Sequence, residues 1–260
     1  NELLRMREIA DKDLLKQSEF ALAWELDTTK RNSFVFDGFT AQDRPSTFGQ
    51  TRLWYDHTAP WTREIPYYDR YLRRDIIQAP QYYVVPLAWR EVVERLQCNH
   101  VLMQRLDRDS LIDAEVYFID DYKSPSKPYE GHFNHNSVRV SKRNVRVQCF
   151  EGDWLIPMDQ AARRYLIEVL EPQGEDSFFA WNFFDSVLQQ KEWFSDYVFE
   201  EKAIELLAAD KNLAASFEAA KLQSAEMQES RWMQLYWIYK HSPYYEQTAF
   251  RYPVFRITGK

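Results

Sequence analysis

Glycine is scarce: the 260 residues contain 6, and none of them frames a Gly-x-Ser-x-Gly or Gly-x-Gly-x-x-Gly turn. Backbone that closes around a phosphate, or lifts a nucleophilic serine on a sharp turn, needs glycine at those spacings, so both readings fall away. Excess positive charge is missing too. Lys and Arg total 33 against 40 Asp and Glu, a formal charge of −7, which opposes general affinity for a polyanion and argues against a nucleic-acid partner. Cysteine is limited to Cys98 and Cys149, too few for a disulfide framework and compatible with either redox compartment. No uncharged apolar run approaches the roughly 20 residues of a membrane-spanning helix. The opening Glu2-Leu3-Leu4-Arg5-Met6-Arg7 lacks the apolar centre of a signal peptide and, following Asn1, reads as a cut within a longer chain.

Aromatic residues are abundant, at 16% of the chain, and their arrangement sets the fold expectation. Leu3, Met6, Ile9, Ala10 and Leu14 recur at helical spacing. From Phe20 to Tyr71, short aromatic segments separated by Pro45, Pro60 and Pro66 read as short strands and ordered loops. Tyr82-Tyr83-Val84-Val85-Pro86 then runs into Trp89, Val92, Val93 and Leu96 on one helical face. Trp154-Leu155-Ile156-Pro157-Met158 likewise precedes Ala162, Tyr165, Leu166, Val169 and Leu170. Each is a strand feeding an amphipathic helix with Pro at its entry, so two βα units of one mixed sheet are expected. Between them, Ala114–Ile119 reads as a strand, and Val138–Val140 and Val145–Cys149 as a hairpin about Lys142-Arg143-Asn144. Beyond Pro172 the pattern is mostly helical, through Ala203, Ile204, Leu207 and Ala208, then Trp232, Leu235, Tyr236 and Tyr239, with a last strand at Val254–Ile257. The expectation is an α+β fold: a mixed sheet with two βα units, an antiparallel insertion and a helical C-terminal part. One boundary is expected, separating a connecting helix and β-rich region at 1–71 from an α+β domain at 72–260.

The chemistry-bearing residues do not assemble into a site. His57, His100, His132, His135 and His241 form neither a His-x-x-Glu nor a His-Glu-x-x-His pattern. In an extended run His132 and His135 point to opposite faces, so surface or strand-pairing roles are favoured over metal ligation. Cys98, near His100, and Cys149, in the hairpin, read as apolar packing residues. Glu171, Glu175 and Asp176 cluster at a turn, where solvation and capping explain them more simply than a catalytic pair does. The aromatic run from Phe178 to Phe184 is assigned to the core, including Trp181, as is Trp89 on its helical stripe. No catalytic, cofactor-binding or metal-ligating residue is therefore assigned.

The stretch Leu170-Glu171-Pro172-Gln173-Gly174-Glu175-Asp176-Ser177-Phe178-Phe179-Ala180-Trp181-Asn182-Phe183-Phe184-Asp185 is distinctive, as is Phe194-Ser195-Asp196-Tyr197-Val198-Phe199-Glu200 after it. With Trp24-Glu25-Leu26-Asp27, Ile65-Pro66-Tyr67-Tyr68, Trp89–Leu96 and Ser242-Pro243-Tyr244-Tyr245, it resembles the C-terminal region of large bacterial proteins of the zinc metallocarboxypeptidase family. The resemblance implies a non-catalytic accessory region that docks on, or shapes access to, an upstream catalytic domain of a secreted or periplasmic protein. That domain would hold the zinc and hydrolyse C-terminal residues from peptides, and none of its ligands or its general base falls on this sequence. The alternative from the residues is an independent peptide- or glycan-binding module that uses exposed aromatics as platforms.

Overall fold

A computed structural model describes residues 2–259. The chain divides into two units, one formed by Ser18–Gln78 and the other by the remainder.

The smaller unit is antiparallel throughout its named strands. Strand β1 (Glu19–Leu26) pairs with β4 (Tyr71–Gln78), while β2 (Asn32–Pro45) and β3 (Thr51–Tyr67) form a long two-stranded ribbon. The expectation of short segments broken at proline is corrected: Pro45, Pro60 and Pro66 all lie within paired strands. Each ribbon strand has a partner on one side only, so a residue without an N–H can sit at the open edge. A bulge between Phe39 and Thr40 absorbs the local mismatch beside Pro60. Tyr71, the expected boundary, is the first residue of β4.

In the larger unit, six strands lie in the order β6-β9-β5-β10-β7-β8. They are β5 (Tyr82–Val85), β6 (Gln104–Arg105), β7 (Ser110–Lys123), β8 (Asn136–Cys149), β9 (Trp154–Pro157) and β10 (Phe255–Ile257). The class is α+β as expected, but the sheet is antiparallel instead of mixed. β5 and β9 are neighbours and run antiparallel, from Tyr82↔Pro157 to Val85↔Trp154. A parallel pair needs a crossover helix that returns the chain to its starting end. Here α2 (Arg90–Cys98) leads to β6 at the sheet edge and then to the β7–β8 hairpin, and the chain re-enters at β9 from the opposite end.

The turn expected at Lys142-Arg143-Asn144 is corrected as well, because β8 passes through it unbroken, with Tyr117↔Lys142, Val116↔Arg143 and Glu115↔Asn144 in register. No glycine is present there to supply a tight hairpin turn. The basic side chains instead find aromatic partners across the ladder: Lys142 Nζ lies 5.2 Å from the Tyr117 ring centre and Arg143 4.1 Å from that of Phe118. Val138 and Val140 fall on the opposite face from Val145, Val147 and Cys149, a phase change that mimics a break. Both faces of the hairpin are in fact used, since Ala114 and Val116 are buried on one and Tyr117 and Ile119 on the other. The real connection is the loop at 124–135, where Glu130 and Gly131 take positive φ.

Helix α2 buries Val92, Val93 and Leu96, and α3 (Arg163–Leu170) buries Leu166, Ile167, Val169 and Leu170. Neither begins at a proline. Pro86 opens a turn that ends at Trp89, the residue capping α2, and Pro157 closes β9. Trp89 is consequently off the buried stripe and half-buried, edge-on to Phe184 at 4.8 Å. Trp181 is half-buried too, because its indole N–H donates to Asp176 at 3.3 Å and keeps one edge of the ring near water.

The C-terminal part is helical as expected: α4 (Asp196–Ala209), α5 (Lys211–Gln223), α6 (Ala225–Glu229) and α7 (Arg231–Lys240). Phe199, Ala203, Phe217, Met227, Leu235, Ile238 and Tyr239 form their shared core. Asp210, Ser224 and Ser230 each accept hydrogen bonds from backbone N–H groups at a helix start, which explains the sharp corners between successive helices. The chain then returns to the sheet, and β10 inserts between β5 and β7. Helix α1 (Glu2–Lys16) has no buried residue.

Candidate functional site

The histidines do not converge. His57 packs at a tilt on Phe39 at 4.4 Å in the ribbon, His132 meets Trp181 edge-on at 5.4 Å, and His241 closes α7 with its ring 3.8 Å from that of Trp237. Among the described residues, no group of three or more His, Cys, Asp or Glu is placed to hold a metal ion. Cys149 is buried as expected, and burial pushes its thiol up to about 11, with Asp153 adding to the effect. Cys98 is exposed at the end of α2, where the apolar stripe has already turned away from it.

His135 is buried, with both ring nitrogens engaged. Nδ1 lies 2.8 Å from Ser124 Oγ and Nε2 lies 2.9 Å from Asp185 Oδ1, while Asn182 Nδ2 approaches Nε2 at 3.3 Å and donates to the Phe133 carbonyl at 3.0 Å. Tyr122 and Phe179 pack on the ring at 4.5 and 4.9 Å. The two ends of the 124–135 loop and the distant aromatic run thus meet on one imidazole, which ties the loop to that run. The spacing of Ser124, His135 and Asp185 carries no local signal for this.

Glu171, expected at a solvated turn, is instead buried at the centre of the larger unit. Tyr83 and Tyr117 donate their hydroxyls to its two carboxylate oxygens, the latter at 2.7 Å, and Arg256 Nε lies 3.0 Å from Oε1. Arg256 also pairs with Glu115. The Tyr252 hydroxyl completes the layer by donating to the Leu170 carbonyl at 2.9 Å. Burial raises the Glu171 carboxyl to about 7, against the opposing pull of the two tyrosine hydrogen bonds. Glu175 and Asp176 remain exposed, so the three acids make no carboxylate pair. A charged residue inside the apolar run Val254-Phe255-Arg256-Ile257 was the one sequence signal that a buried counter-charge exists.

Two exposed apolar surfaces stand out. Along α1, Leu3, Leu4, Met6 and Ile9 are exposed, Leu3 to 83%. A helix of this length derives its stability from an apolar face packed on something else, so an uncovered face marks a missing partner. Beside α4 and α7, a groove of about 400 Å³ is lined by Trp193, Phe194, Phe199, Lys202, Tyr239 and Tyr244. Its wall continues as stacked rings, with Trp193 and Tyr236 5.8 Å apart and Tyr236 and Trp232 4.9 Å apart.

No protein-family description, curated protein or solved structure matches the chain. Among the described residues, no helix is long and apolar enough to cross a membrane.

Proposed function

We propose that this chain is a non-catalytic accessory region of a secreted or periplasmic zinc carboxypeptidase-like protein, which docks on the catalytic domain and shapes its access. The observation that carries the docking step is α1, whose Leu3, Leu4, Met6 and Ile9 face solvent over its first two turns and more. The identity of the partner rests on the resemblance of the 170–200 segment and its companions. Zinc and peptide hydrolysis belong in this reading to the catalytic domain, and no residue here is assigned to either. Interfaces between domains typically bury about 600–1,500 Å². Hydrogen exchange with and without a separately produced catalytic domain tests it: protection concentrated on residues 2–16 is the expected result. Unchanged exchange at concentrations well above the micromolar range overturns it.

The aromatic groove favours a second reading, in which the region is a peptide- or glycan-binding module. Exposed Trp193 and Tyr244 flank a concavity with Lys202 and Glu192 at hand, the mixture of flat apolar walls and few polar groups that small-ligand sites use. Saturable quenching of tryptophan fluorescence by oligosaccharides or peptides, lost on Trp193→Ala, distinguishes it from docking alone.

A further inference from the structure

A second cavity, of about 260 Å³, opens between the start of α2, the segment after the aromatic run and the chain that leads into β10. Its apolar walls are Trp89, Val187 and Phe255, and its charged groups are Lys191, Glu246 and Arg251. We propose that it is a binding site for a small organic carboxylate with an apolar body. This proposal stands apart from the docking reading and uses none of its residues.

The argument starts from Arg251. The residue is half-buried, and its guanidinium carbon lies 5.3 Å from the Phe255 ring centre, which holds the group against the cavity wall. Among the described residues, no carboxylate or carbonyl ion-pairs or hydrogen-bonds with the guanidinium. Its main chain is fixed by a bond to Thr248 and a bridge to Phe118. Burial makes the charged form costly enough to lower its pKa, yet a guanidinium stays cationic at any ordinary pH. A partly desolvated cation with unused fork-like donors calls for an anion, and a carboxylate matches that fork in shape.

The neighbours sharpen the choice. Lys191 adds a second cation on the rim, also without a partner among the described residues. Glu246 is the single acid; one of its oxygens accepts the Thr248 hydroxyl at 2.7 Å, and its charge favours the cationic form of Arg251 without a direct ion pair. The local balance is one net positive charge facing apolar walls, which fits one carboxylate on an aliphatic or aromatic body. The volume lies just below the roughly 300–1,000 Å³ of sites for drug-sized ligands, so the occupant is small or is the end of a larger chain.

Titration of the full chain with 3-phenylpropanoate, followed by the fluorescence of Trp89 and by calorimetry, tests the proposal. The neutral isostere 3-phenylpropanol is the control. Saturable binding of the acid, at least about tenfold tighter than the alcohol and weakened by a similar factor in Arg251→Gln, is the expected result. Glu246→Gln removes the competing acid and should tighten the acid's binding, which guards against a folding defect in the arginine variant. Equal binding of acid and alcohol, absence of binding at millimolar acid, or an unchanged affinity in both variants overturns the proposal. N-acetylphenylalanine and its amide identify the source within a positive result: binding of the acid but not the amide points to a peptide C-terminus, whereas binding of phenylpropanoate alone points to a free small acid.

Discussion

The Glu171 carboxylate and the Arg256 guanidinium meet at 3.0 Å with 1% and 2% of their side-chain surfaces exposed, joining the end of α3 to the last strand of the sheet. Charges this far from water are retained only when each has its partner. Removing one leaves the other stranded, a loss of about 3–5 kcal/mol. Arg256→Met should therefore destabilise the larger unit by that amount near pH 8, and Arg256→Met combined with Glu171→Leu should recover a large part of it. Urea denaturation of the three proteins checks both statements.

The same carboxyl makes stability depend on pH in a direction opposite to that of an ordinary surface acid. Burial lifts Glu171 from an ordinary 4.5 to about 7 in the folded protein. Its contribution is therefore fully present below about pH 4.5 and is lost as pH rises through 7, over which span it amounts to roughly 3 kcal/mol. Glu171→Gln keeps a carbonyl oxygen to accept from one tyrosine hydroxyl, turns an amide N–H2 towards the other, and cannot titrate. The difference in stability between wild type and this variant should drift against the wild type from about pH 5 to pH 8. A difference that stays flat across that range contradicts the assignment.

Gly174 follows the Glu171 turn, and a Cβ built there would lie 2.5 Å from the Glu168 carbonyl oxygen. The obstacle is backbone at the end of α3, which has no flexible tip to move aside. Gly174→Ala should lower stability by about 1–3 kcal/mol and disturb the Glu171 cluster next to it. Melting temperature and the near-ultraviolet signal of the surrounding tyrosines are the readouts.

His135→Ala should loosen the 124–135 loop. The substitution strands Ser124 and Asp185 and removes a ring packed between Tyr122 and Phe179, at a cost of about 1–3 kcal/mol. Limited proteolysis should then cut within 124–135 before any other segment of the larger unit. Uniform resistance in the variant argues that the loop is held by other contacts.

Local apolar periodicity was legible where one face of an element is buried: Val92, Val93 and Leu96 on α2, and Leu166, Val169 and Leu170 on α3. It misled in the β7–β8 hairpin, where β7 buries both faces and the valines of β8 change face midway, and where proline occupies the open edge of a two-stranded ribbon. Strand direction in the sheet was not legible, because periodicity carries no information on which end of the sheet the chain re-enters. Polar clusters were hidden for a different reason. Ser124, His135 and Asp185, or Tyr83, Glu171 and Arg256, meet only after the sheet and the aromatic run have packed. Glu171 shares a turn-like stretch with Glu175 and Asp176, and only tertiary packing separates the buried acid from the exposed ones.

Helix α1 separates folding from recognition. Because Leu4 and Met6 are both exposed, changing them to Asp removes little packing within the chain, and its stability should move by no more than about 0.5 kcal/mol. On a docking surface the same two changes place unpaired carboxylates in an apolar contact, where each costs several kcal/mol. Protection of residues 2–16 by the catalytic domain should then vanish while the fold of the variant is unaltered. If the double variant instead unfolds the larger unit, α1 is packed within the chain in solution and its apolar face is already spoken for. If the variant keeps both its stability and the protection, the contact does not run through Leu4 and Met6, and the docking surface must be sought elsewhere on the molecule.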